Sequence, residues 1–393
     1  MRPESRLKRQ ARIIAGQSLP SSQVGDLDEH VLPFLQGNAE FTTNSPVPVH
    51  ACDSAPKRAR AGDILLSVRA PVGALNIADQ PYGIGRGLCA IRSTRADQRF
   101  LWWALHHSTA DLQSRATGST YEAVSVEDVA DTLIPIPPLT EQRAIADYLD
   151  TETSHIDTLI TKKRRMIELL EERWIAVVSD ATTASGRNGS RIALRRMVES
   201  TIGGAWGKDP GQGDLDTLCV RGTDFDTAFL RVDKDRAPAR GFTYEEFQRR
   251  RLVDGDLVIE KSGGGDKQPV GRVVQWSGDD AGVPTNFAAR LRPAAGVDSR
   301  FLAFLLRASY EIGVTRRWIK QTTGIQNLDL GGFLSEKYAL PPPREQSSIA
   351  KQLDEATRHR SLMQGKLYTQ IGLLAERRRA LITAAVTGEL SVA

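Results

Sequence analysis

Two stretches of the chain carry the pattern of a long amphipathic helix. Behind a proline pair, which can precede a helix but not continue one, apolar residues recur at spacings near four and three: Ile145, Leu149, Ile156, Leu159, Met166, Leu170 and Val177. A second series runs Ile349, Leu353, Ala356, Met363, Leu367, Leu374 and Leu381. Charge occupies the opposite face, as in Lys162-Lys163-Arg164-Arg165 and Arg377-Arg378-Arg379. About 45 residues per helix would make a rod of roughly 65–70 Å. A stripe this narrow on a rod this long needs a partner helix, and the nearest candidate is the other copy, giving two long antiparallel coiled-coil helices. Two surface helices, each packed on its own domain, are the alternative. The basic runs read as solvated faces.

The segments between these helices carry a different pattern. Asp63 to Val68 and Leu257 to Glu260 are short apolar runs introduced by Gly-Asp, a turn signal, and read as strands. Val72 to Ala78, Leu88 to Ile91 and Val270 to Trp276 read as further strands. Phe100 to Leu112 and Phe301 to Ile312 have helical spacing, with Trp102, Trp103 and Phe304 as expected core aromatics.

The chain also repeats itself. Ile136-Pro137-Pro138 returns as Leu340-Pro341-Pro342, Glu141-Gln142 as Glu345-Gln346, and Leu149-Asp150 as Leu353-Asp354. The same register continues through His155/His359, Lys162/Lys366 and Glu172-Arg173/Glu376-Arg377. About 19 of about 48 positions agree without a gap, which marks a duplication. The repeat extends more faintly upstream: Gly62-Asp63 returns as Gly255-Asp256, Pro71-Val72-Gly73 as Pro269-Val270-Gly271, Arg99-Phe100-Leu101 as Arg300-Phe301-Leu302, and Thr117-Gly118 as Thr323-Gly324. The expected fold is α+β: two mixed α/β recognition domains separated by the two long helices, as a pseudo-two-fold internal repeat. The expected divisions are 1–136, 137–186, 187–340 and 341–393.

Composition narrows the class. With 40% hydrophobic and 25% charged residues the chain reads as globular. No apolar run approaches a membrane span. The segment Met1 to Arg12 is basic and lacks an apolar stretch, and the three cysteines are scattered, so a reducing, cytoplasmic setting is expected. A net charge of +4 with pI near 9.0 is compatible with nucleic acid but does not demand it.

Catalytic patterns fail on inspection. Ser262-Gly263-Gly264-Gly265 lacks dinucleotide-loop spacing. Gly203 to Lys208 suggests a phosphate loop, but Ile202 stands where the first glycine is needed and Asp209 where Ser or Thr is needed. Asp256 with Glu260-Lys261 has the wrong spacing for a nuclease carboxylate cluster. His50-Ala51-Cys52 and His106-His107 lack the second pair a zinc site requires. His155 and His359 fall at equivalent helix positions and suggest packing. The chain reads as a binder, with no catalytic residue, no metal and no cofactor of its own.

Pro-Pro-Leu-Thr-Glu-Gln-Arg-Ala-Ile-Ala-Asp-Tyr-Leu-Asp at 137–150, and its counterpart at 341–354, resemble the entrances to the shared regions of type I restriction-modification specificity subunits. The Thr-Gly turns at 117 and 323 and the Gly-Asp strand openings resemble that family too. The second copy departs at Ile325, Arg344 and Ser347. The resemblance implies that each target-recognition domain reads one half of a bipartite site in double-stranded DNA. It further implies two copies of an adenine methyltransferase subunit that carries S-adenosylmethionine, restriction and translocase subunits as further partners, and no membrane. Base edges and phosphates attract Arg, Lys, Asn, Gln and Ser/Thr. The candidate contacts are accordingly Arg69, Arg86, Ser119, Thr120 and Tyr121 in the first domain. In the second they are Lys261, Lys267, Arg316, Arg317, Lys320, Gln326 and Asn327. Two rivals stand: a separate specificity subunit of a fused methyltransferase-nuclease system, and a coiled-coil adaptor that never touches DNA.

Overall fold

A computed structural model describes residues 2–28, 30–43, 45–116, 123–184, 191–322 and 324–392. It divides into two compact units, Met1–Lys162 with Gln370–Ala393, and Lys163–Thr369. Packing thus groups the chain differently from the divisions at 136, 186 and 340, because each long helix contributes to both units.

The first unit is built on a four-stranded antiparallel sheet in the order Ala11–Ala15, Leu88–Ser93, Ile64–Ser67, Leu75–Ile77. A five-stranded sheet, which includes Pro33–Leu35 and Tyr82–Ile84, accompanies it. Helix α1 (Gln98–Ser114) supplies Phe100, Leu101, Leu105 and Leu112 to a core shared with Ile64, Leu66 and Ile91. The same core takes in Ile145 and Leu149 from helix α2 (Leu139–Ala184), and Ile382, Ala385 and Val386 from the end of helix α4 (Pro343–Thr387). The second unit has a six-stranded sheet that contains Ala288–Pro293, Leu257–Glu260 and Val273–Gln275. Its helix α3 (Ser299–Glu311) packs Phe301, Phe304 and Leu305 into a core with Leu257, Ile259, Ile349 and Leu353. The strands and helices read from the sequence fall where expected, although Val72–Ala78 shortens to Leu75–Ile77 and Val270–Trp276 to Val273–Gln275. Trp103 and Phe304 are buried, whereas Trp102 is only half-buried.

The Gly-Asp signature has a definite job. Gly62 and Gly255 adopt φ of 85° and 86°, a left-handed turn that favours glycine. The next residue then turns inward. Asp63 accepts a bidentate pair from Arg92 at 2.6 and 2.7 Å, and Asp256 one from Arg292 at 2.7 and 2.8 Å. Each carboxylate also accepts a backbone N–H, from Arg60 and Val253 respectively, both at 2.8 Å. Glu260 is held by Arg272. The acidic residues that faintly suggested a nuclease are therefore committed to structure.

A second device ties each α/β module to a long helix. Asp97 caps α1 by accepting from Arg99 and Phe100 N–H, and Asp298 caps α3 by accepting from Phe301 N–H. The cap's own N–H donates to the side-chain Oε1 of Gln142 at 2.8 Å in the first unit and to that of Gln346 at 2.7 Å in the second. Each glutamine amide donates back to the proline that precedes its helix, Pro137 at 2.8 Å and Pro341 at 2.7 Å. Both side chains are buried, at 2% and 0% exposure. Arg99 and Arg300 reinforce the joint by pairing with Asp150 and Asp354.

Because Gln346 is fully enclosed, Gln346→Ala strands a buried donor and a buried acceptor. A loss of roughly 2–4 kcal/mol of local stability is expected. Hydrogen exchange checks it: the Asp298 amide should lose protection along with the first turn of α3, and unchanged protection there would refute the joint.

Candidate functional site

The long helices have a buried side and a bare one. In the second unit Trp174 donates its indole N–H to Thr357 Oγ1 at 2.9 Å, while Glu171 meets Arg360 at 3.0 Å and Gln364 at 3.4 Å. Partners on α4 descend from 364 to 357 as α2 ascends from 171 to 174, so the two segments run antiparallel. Arg360 lies 4.0 Å over the Trp174 ring and Arg307 of α3 lies 5.3 Å from it. Arg360 also donates to the Ala228 carbonyl and Arg307 to that of Thr227. Burial pulls the Arg360 guanidinium below the usual arginine range, and Glu171 opposes that pull. A buried arginine that satisfied both an acid and a carbonyl is a joint, not a free contact.

The first unit solves the same joint with other residues. Arg378 of α4 pairs with Asp157 at 3.1 Å and sits 5.7 Å from the Trp103 ring, whose N–H donates to Asp150 at 2.9 Å. Beside it lies a hollow of about 680 Å³, lined in part by Thr43, Trp102, Thr153, Thr158 and Thr161.

The predicted stripe is partly right. Ile145, Leu149, Ile156, Ile349, Leu353 and Leu367 are buried. Leu170, Met363, Leu374 and Leu381 are half-buried. Leu159, Met166 and Val177 are exposed, which corrects the expectation that one apolar stripe would be covered along its length. Over that part of α2 the seam rotates onto Trp174 and Val178, because a straight 3.6-residue helix drifts away from a strict heptad. Trp174, Thr357 and Arg360 went unnoticed as packing residues. The available signal was the break in the repeat itself, where Trp174 stands opposite Arg378 and Ile156 opposite Arg360. Leu159, Met166, Leu169 and Val177 on α2, and Leu362, Tyr368 and Leu373 on α4, remain large exposed apolar side chains.

The second unit brings three of its seven candidate contacts, Lys320, Gln326 and Asn327, onto one small sheet. Strand Ile325–Leu328 pairs with Ile319–Thr322 on one side and Ser262–Gly263 on the other. Lys320 sits across from Asn327, and Ser262 donates to Asn327 Oδ1 at 2.7 Å. Lys261 adjoins this sheet, half-buried, with its carbonyl accepting from Leu328 N–H. Lys267 is exposed in the Gly265–Gln268 turn, and Arg316 and Arg317 are exposed in the turn that leads into the sheet. Lys320 is engaged by Asp329 at 2.8 Å, which holds that carboxyl below its usual range. Gln326 is buried, and its side-chain oxygen accepts from Val270 N–H at 3.3 Å. In the first unit Arg69 is exposed in an isolated bridge to Ala123, and Arg86 is exposed on a separate turn. Ser119, Thr120 and Tyr121 lie outside the described residues. Among the described residues no group of three His, Cys, Asp or Glu side chains is placed to hold a metal, and no helix is long and apolar enough to cross a membrane.

Two α/β modules on one duplicated framework are each locked through a buried glutamine to a long helix that keeps exposed apolar residues. Residues 49–169 match the family model of the Type I restriction modification DNA specificity domain. Over 163 residues the chain is 41% identical to the putative type I restriction enzyme MjaX specificity subunit of Methanocaldococcus jannaschii, an alignment covering 41% of this chain and 37% of that one. It is 23% identical over 271 residues to the type I restriction enzyme StySPI specificity subunit of Salmonella potsdam, covering 66% and 58%. The chain therefore spans less than two thirds of the length of either relative. A chain from a structure on complex assembly and conformational transition of the type I R-M system aligns at TM-score 0.75 and 19% identity, over 99% of this chain and 98% of that one. The HsdS subunit from Thermoanaerobacter tengcongensis aligns at TM-score 0.50 and 19% identity, over 99% and 97%. The fold is shared with both, and the resemblance to type I specificity subunits read from the sequence stands confirmed.

One titration follows from the Trp103 joint. His106 packs 4.5 Å from Trp102 and 5.7 Å from Trp103, its Nε2 is buried without a partner, and burial beside Arg378 lowers its pKa to about 4. The unfolded chain takes up this proton near pH 6.5 and the folded unit only near 4, so stability falls as pH drops through that window, by at most about 3 kcal/mol. His107 and nearby carboxylates titrate in both proteins, so the comparison is differential: His106→Leu should narrow the gap in melting temperature between pH 7 and pH 4.5. An equal gap in both proteins would contradict the assignment.

Proposed function

We propose that this chain is the DNA-reading subunit of a type I restriction-modification complex. The observation that carries the reading is the specificity-domain match at residues 49–169, on a chain whose second half repeats the first. Each α/β module reads one half of a bipartite duplex site. The halves differ in sequence because the modules differ in side chains on the same framework. Paired reading heads suit the two-fold axes of a duplex.

The long helices supply the docking surface for partners. Exposed large apolar residues along one structural element mark an interaction face, and α2 and α4 each carry a set of them. A repeated helix offers that face twice, which supports two copies of a methyltransferase subunit per chain. The methyl donor, S-adenosylmethionine, belongs to that partner, as do methylation and the further restriction steps. This chain contributes recognition and spacing, and no chemistry of its own.

The test uses the chain purified with whatever partners accompany it from its native host. A pool of duplexes with a randomised central stretch should yield two enriched sequence blocks at a fixed separation, with affinity that falls steeply as salt rises. Exchange of residues 187–336 for the same region of a relative should change one block and leave the other. A change in both blocks would exclude the modular reading, and enrichment of no sequence would favour an adaptor that never touches DNA.

A further inference from the structure

The segment Gly203 to Lys208, discarded above as a phosphate loop, holds an unusual display. Trp206 and Phe287 are 48% and 47% exposed, with ring centroids 6.3 Å apart and planes at 85°. Neither sits on a loose loop. A Cβ at Gly204 would lie 2.0 Å from the Pro284 carbonyl oxygen, so only glycine lets the backbone pass there. Gly204 N–H donates to Ala288 and Ala205 N–H to Pro284, which turns Ala205 inward and Trp206 outward. On its far side Gly207 takes φ of 70°, and Lys208 exchanges both backbone hydrogen bonds with Gly241. The Phe287 carbonyl accepts from Lys261 and Ser262 N–H at 2.8 and 3.1 Å, which joins the aromatic pair to the sheet that carries Asn327. Arg240 lies 5.6 Å from the Trp206 ring.

The first unit has the same frame with different side chains. Gly16 approaches the Gly85 carbonyl as closely as Gly204 approaches that of Pro284. Gly16 N–H donates to Leu88 and Gln17 N–H to Ile84, and the Gly87 carbonyl accepts from Val68 N–H. By these bonds Ser18 stands where the second unit has Trp206, and Gly87 where it has Phe287. In place of two rings there is a hollow of about 230 Å³, bordered by Ser18, Gln36, His50 and Arg86. A backbone kept in both copies with contrasting chemistry at its tip is what a position that sets specificity looks like.

We propose that this rigid turn is a base-reading point of the second module, where Trp206 and Phe287 make apolar contact with DNA bases and Lys261 flanks them toward phosphates, while Arg240, paired with Asp209 at 2.7 Å, braces the turn. The inference rests on the DNA-reading function proposed above. Rigid aromatics lose little conformational freedom on binding, and apolar side chains read or wedge against bases where basic neighbours hold the backbone.

The test compares wild-type chain, purified with its partners, with W206A, F287A and W206F on the randomised duplex pool. The alanine variants should flatten base preference within one block by about tenfold or more, leave the other block intact, and W206F should restore most of the preference. Both blocks unchanged in W206A and F287A would overturn the assignment while the recognition function stood. Both blocks lost together in the two single alanine variants would also overturn it, since a local contact affects one half. If wild type itself enriched no sequence, the underlying function would fall, and this proposal with it.

Discussion

The structure depends on two buried glutamines. A helix N-terminus leaves backbone N–H groups without partners, and a proline-led entry leaves a carbonyl exposed to the interior. Gln142 and Gln346 each close one of both kinds at once, binding the cap of a module helix to the start of a long helix. An amide is the side chain for this position because it alone donates and accepts along one short plane. Glutamate could accept from the cap but not donate to the proline carbonyl. The orientation of each module on its long helix is thereby set by hydrogen bonds that have no solvent competitor.

Much of this was legible in the residues. The Glu-Gln that follows each proline pair was among the identical pairs of the two copies, and its glutamine proved to be the joint. The Gly-Asp signals marked a left-handed turn and a buried acid in both modules, as short-range chemistry dictates. The helices themselves were read almost to the residue, since prolines fix the start and 3.6-residue periodicity fixes the rest.

What escaped the sequence escaped for physical reasons. Periodicity reports which residues are apolar, not which of several apolar rows a partner will cover, so Leu159, Met166 and Val177 were placed in a seam that passes instead through Trp174 and Val178. Arginine counts as polar in any pattern, yet Arg360 is buried, with its terminal nitrogens donating to Glu171 and a backbone carbonyl and its guanidinium over the Trp174 ring. Gln326 looked like a base reader for its chemistry and its turn, but a strand pairing turned it inward while its neighbour Asn327 turned out. Alternation along a strand decides that, and a one-residue error in register reverses it.

The two modules show how a duplicated frame can diverge without losing its fold. Residues that carry the frame are those whose replacement would break backbone geometry: Gly16 and Gly204 under a carbonyl, Gly62 and Gly255 at positive φ, Asp63 and Asp256 against an arginine. Residues at the tips of that frame bear no such load. Serine stands at position 18 and tryptophan at position 206, above the same pattern of backbone hydrogen bonds. Backbone geometry and surface chemistry thus rest on different atoms of the same turn. The buried amides and ion pairs beneath those surfaces belong to the frame, and both copies keep them.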